Sequence, residues 1–120
     1  MTKGQAEAAI TESLTSFKRE FLGRGPKKAR TYIMGDMILV RLQGVLSRAE
    51  TQLSRDPEGV ILLKKMRTKL IEGSGDKIKQ IIFDCVGMPV ATMHTDVSSR
   101  TGDSIFVFTM EGNLEQKFDG

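Results

Sequence analysis

Thirteen consecutive residues, Lys18-Arg19-Glu20-Phe21-Leu22-Gly23-Arg24-Gly25-Pro26-Lys27-Lys28-Ala29-Arg30, hold six basic side chains and one acid around a glycine-rich bend. Backbone amides left free by Gly23 and Gly25, with Arg24, Lys27, Lys28 and Arg30 beside them, suit a phosphate, a carboxylate or an acidic protein surface. Pro26 stiffens the bend. Tyr32, two residues past Arg30, either presents its hydroxyl outward or packs its ring on a strand. The same charges are also explained by a helix-to-strand connection bathed in water. The segment is not a P-loop, because no Lys-Ser/Thr pair follows a G-x-x-x-x-G frame.

Other chemistry is thinly provided. His94 is the only histidine, so any Ser-His-Asp or Cys-His scheme has to pass through it. Asp96, two residues on, falls on the same strand face. No further motif converges on the pair, and a surface histidine is the expectation. One His and Cys85 are too few ligands for zinc. Asp84, Asp96 and Asp103 gather near the last hairpin, but no twelve-residue calcium loop is present. The chain is read as a non-enzyme, with no cofactor and no metal.

These residues need elements to position them. Ile10, Leu14, Phe17 and Phe21 form one apolar stripe and predict a helix over Gln5 to Leu22, stopped at Gly23-Arg24-Gly25-Pro26. On this reading Lys18 falls off the stripe. Ala29–Met34 and Met37–Gln43 flank the turn signal Gly35-Asp36 and read as a hairpin. Ile38, Val40 and Leu42 point one way; Met37, Leu39 and Arg41 point the other, which predicts a partly uncovered face. Ser47 and Glu50 have capping-box spacing for a short helix to Leu53. Asp56-Pro57 opens a longer helix whose core face is Val60, Leu63, Met66 and Leu70. Gly73-Ser74-Gly75 interrupts it, and both a single kinked helix and two helices fit. Val90–Asp96 and Ser104–Met110 form a second hairpin. The expected fold is α+β in two layers, a four-stranded, mainly antiparallel sheet with helices on one face, in the order α-ββ-α(α)-ββ.

The chain has 120 residues, 39% hydrophobic and 28% charged, which fits one soluble domain over 1–120 with a core over about 5–110 and a polar, frayed tail over 111–120. Its longest apolar runs, such as Val60-Ile61-Leu62-Leu63, are far short of the ~20 residues that span a bilayer. A lone cysteine and an N-terminus without an apolar leader core make the cytoplasm the expected location. Net charge is +4 over residues 1–50, +2 over 51–90 and −3 over 91–120, so the front attracts anions and the back repels them. An RNA-binding sheet requires exposed aromatics beside basic residues. Phe106 and Phe108 alternate correctly but lie in the acidic third, so nucleic acid is not the expected partner.

The run Gly23-Arg24-Gly25-Pro26, with Lys28, Ala29, Thr31, Tyr32, Ile33 and Asp36, resembles the signature of the MpsC-like domain family, named for a Na+-translocating membrane potential-generating system. The likeness continues through Leu46, Ser47, Ala49, Glu50 and Leu53 to Gly87, Asp96 and the strand Ile105-Phe106-Val107-Phe108. Two departures are Gly73-Ser74-Gly75, where the family runs a continuous helix, and Val86 in place of its threonine. The resemblance implies a small soluble accessory component of a bacterial membrane cation-translocating and inorganic-carbon-accumulating system. Its implied partners are a quinone-oxidoreductase-type membrane subunit and a large soluble zinc protein. The expectation is therefore a binding subunit that docks a protein partner, such as a membrane transport subunit, through Gly23, Arg24, Gly25, Pro26, Lys27, Lys28, Arg30 and Tyr32. It would sit in the cytoplasm or, through that partner, at the inner membrane. A nucleotide- or RNA-binding module using the same loop is the alternative. Open strand edges also predict a homodimer.

Overall fold

Capping side chains and apolar ladders set where each helix starts and which side it buries. In this computed structural model, which describes residues 1–118, α1 spans Lys3–Leu22, opened by a Thr2/Gln5 capping box and closed by Gly23 at φ 80°. Ile10, Leu14 and Phe17 are buried, as the stripe predicts, and Ala6 is buried with them. Its last member is not: Phe21 is 45% exposed and stacks on Phe17. Lys18 takes the inner place, only 5% exposed. Apart from Phe17, the burial follows a four-residue ladder, Ala6-Ile10-Leu14-Lys18, whose final rung is charged and so escapes an apolar pattern.

Four strands follow in two hairpins, β1 (Lys28–Met34) with β2 (Met37–Gln43), and β3 (Val90–Val97) with β4 (Ser104–Met110). Their spatial order is β1-β2-β4-β3, and every pairing is antiparallel. The fold is thus α+β, as expected. α1 and the long helix α3 (Pro57–Val86) pack on one side of the sheet, next to each other. Ile33, Ile38, Val40, Leu42, Phe106 and Phe108 meet Ile10, Leu14, Ile78 and Ile82 in that layer.

Ser47 and Glu50 form the predicted capping box of α2 (Arg48–Leu53), and Asp56 caps α3 ahead of Pro57. α3 runs unbroken for 30 residues, through Gly73-Ser74-Gly75. Ser74 is buried and its hydroxyl donates to the Leu70 carbonyl at 2.9 Å, while Gly75 packs beside Met93. Tertiary packing thus holds a stretch of poor helix formers in the helix. The buried face is Gly59, Leu63, Arg67, Ser74, Ile78, Ile82 and Val86. Of the face expected from Val60, Leu63, Met66 and Leu70, Leu63 is enclosed, Val60 and Leu70 are half-buried, and Met66 is exposed. The reason is again a four-residue ladder with a polar rung. Thirty helical residues also span ~45 Å against ~25 Å for these strands. The first part of α3 therefore projects past the sheet, with Ile61 and Leu62 exposed, and the molecule is 50 Å long but only 24 Å and 22 Å across.

Polarity alone predicts fraying from 111 onward. The structure instead forms α4 (Leu114–Lys117), anchored by the fully buried Leu114 and by Glu115, which pairs with Lys3 at 2.7 Å and accepts from the Gly35 N–H. Residues 119–120, part of the same expectation, lie outside the described residues.

Candidate functional site

Gly23 sits where α1 must turn toward β1, and its positive φ is open to glycine at no steric cost. The chain then passes Pro26 and enters β1 through a bond from the Lys27 N–H to the Gln43 carbonyl at 2.8 Å. Arg24, Lys27, Lys28 and Arg30 are exposed, while Gly25 and Pro26 are half-buried. Gly25 lies against Arg19 and Thr15. Arg24 donates to the Gly44 carbonyl at 3.3 Å, and the Arg30 guanidinium lies 5.3 Å from the centre of the Tyr32 ring. Among the described residues, none of these four cations pairs with a carboxylate.

Strand alternation carries this corner onto the uncovered side of the sheet. Lys28, Arg30, Tyr32 and Met34 all project there from β1 and are exposed. Register extends them into rows across the sheet. Arg30 is followed by Arg41, Ile105 and Asp96; Tyr32 by Leu39, Val107 and His94; Met34 by Met37, Thr109 and Thr92. Arg41 is held by Asp103 at 2.8 Å. The face is thus cationic toward β1 and apolar across its middle. Arg41 among apolar neighbours did signal an open face in the sequence. The opposite row is closed: Phe106 and Phe108, the rings an RNA platform would stack on bases, are fully buried.

A second constellation lies on the helical side, and the sequence reading did not place it. Arg67, at 10% side-chain exposure, pairs with Glu50 at 2.7 Å and donates to the Val45 carbonyl at 3.1 Å. Burial pushes the Glu50 carboxyl up, but the Ser47 N–H and the Arg67 guanidinium outweigh it and hold the group below its usual range. Lys18 lies beside this pair, its ammonium 4.9 Å from the centre of the Phe106 ring. Burial, reinforced by the Arg67 charge and opposed by Glu50, lowers Lys18 to about 8. The capping box had marked Glu50; nothing in an apolar count marks Lys18 or Arg67.

The remaining candidates stay apart. His94 is exposed on the open face and Asp96 pairs with Lys64 at 3.6 Å. Cys85 is free and half-buried beside Ser13. Among the described residues there is no group of three or more His, Cys, Asp or Glu arranged to hold a metal ion.

Comparison with known proteins matches residues 2–112 to the family described as the Na+-translocating membrane potential-generating system, MpsC. The chain is similar to uncharacterized protein YbcI of Bacillus subtilis (strain 168), 37% identical over 118 residues, covering 98% of this chain and 95% of the relative. It is also similar to uncharacterized protein YrhF of the same organism, 23% identical over 109 residues, covering 90% and 89%. No solved structure matches.

Proposed function

Because the chain belongs to the MpsC family, we propose that it is a small non-catalytic accessory subunit that holds an acidic protein partner, a membrane transport subunit, against its Gly23–Arg30 corner and the adjoining sheet face. Among the described residues no helix is long and apolar enough to cross a membrane, so a part in transport is exercised through such a partner. The observation that carries the reading is the set Arg24, Lys27, Lys28 and Arg30, exposed, without carboxylate partners among the described residues, and continuous with the apolar rows through Tyr32. Arg24 and Arg30 supply planar guanidinium donors for partner carboxylates, and the middle of the sheet supplies area.

The test is the double variant Arg24→Ala/Lys28→Ala, compared with wild type in cross-linking and co-purification from the native membrane fraction. Partner recovery falls, cross-links to the corner disappear and the melting temperature stays nearly unchanged. Recovery of the same partners in equal yield ends the proposal. The nucleotide or RNA alternative predicts binding that weakens steeply with salt; flat anisotropy titrations at low salt dispose of it.

A further inference from the structure

Between the last turns of α1, the middle of α3 and the end of β3 runs a cleft. Its walls include Lys18, Phe21, Leu22, Arg67, Thr68 and Ser104. Lys18 is almost wholly enclosed, yet no hydrogen bond reaches its ammonium among the described residues. No sealed polar side-chain atom there lacks a partner, so the Lys18 Nζ must meet the water in the cleft. The acids that face it are spent. Glu50 of α2 takes two bonds from Arg67 and one from the Ser47 N–H; Asp96 of β3 pairs with Lys64 of α3 and accepts from the Val97 N–H. Lys64, Arg67 and Asp96, which also line the cleft, are taken up in those pairs, so one positive charge, that of Lys18, is left over.

We propose that this cleft binds a small carboxylate bearing an apolar substituent, its anionic end on Lys18 and its apolar end along Phe21 and Leu22. A single uncompensated ammonium calls for a single negative charge, and a buried one gains most from it because little water competes. The hydroxyls of Thr68 and Ser104 offer donors to the second oxygen. Free interior space is only about 40 Å³, which admits a head group and short chain rather than a nucleotide. Phe21, exposed at the mouth and stacked on Phe17, gives the substituent a surface to lie on.

The test uses the full chain with hexanoate, hexanol and inorganic phosphate as probes, read from the side-chain NMR signals of labelled lysine. Hexanoate perturbs Lys18 saturably and raises the midpoint of its titration; hexanol and phosphate do not. Lys18→Met weakens hexanoate by about tenfold or more, the loss expected for one charge-assisted contact. Phe21→Ala, a surface change that spares the core, weakens hexanoate more than acetate. Arg24→Ala/Lys28→Ala, which removes the docking corner, leaves hexanoate binding intact, so the two readings fail separately. No saturable change at Lys18 in wild type, equal binding by Lys18→Met, or phosphate binding as well as hexanoate overturns the proposal.

Discussion

Lys18 keeps its proton in the unfolded chain up to about 10.5 but only to about 8 when folded. Between those values the unfolded state binds more protons, so stability rises with pH across that window. The difference corresponds to roughly 3 kcal/mol of disfavoured charge burial at neutral pH. Lys18→Met should therefore raise the melting temperature at pH 7, and the gain should fade as pH climbs from 8 toward 10.5. Thermal scans across that range check it, and a pH-independent gain contradicts it. Glu50 runs the other way. Its depressed carboxyl contributes stability above its ordinary range that disappears on acidification. Glu50→Gln leaves the enclosed Arg67 without its anion and should cost about 3 kcal/mol in urea unfolding at pH 7, with a smaller loss in acid.

Element by element, the segments that could be read from the sequence were those whose signals are local. The Ser47/Glu50 box, the Asp56-Pro57 start and the Gly23 stop stand where spacing puts them, because a cap depends only on residues within one turn. The exposed cationic corner was legible for the same reason. Lys18 and Arg67 were not: each sits on a burial ladder set by a partner element, and charge made it look like surface. The continuity of α3 was equally hidden, since Gly73 and Gly75 argue locally for a break that distant packing overrules. A methyl group at Gly73 would meet nothing within 4 Å. Gly73→Ala should thus stabilise by about 0.5–1 kcal/mol, measured as a higher urea midpoint with unchanged slope. A loss instead would mean that the helix needs the glycine's freedom.

At the scale of the whole molecule, the strands at the centre carry the enclosed side chains, and the projecting start of α3 carries few. Hydrogen exchange followed by mass spectrometry should find β2 and β4 slowest, with α2 and residues 57–66 opening sooner. Uniform protection along α3 would contradict that ordering. The edges are managed as well: Glu7 of α1 takes the Ile33 N–H of β1 at 2.8 Å, and β3 is irregular between Val90 and Thr92. With helices on one side of the sheet only, a single layer of strands separates the two surfaces except at the β3 edge, where Asp96 ends the Arg30 row and also borders the cleft. A protein laid over Tyr32 and Leu39 and a small acid lodged beside Lys18 would never contend for the same volume, so this fold has room to report on a metabolite while already in the grip of its neighbour.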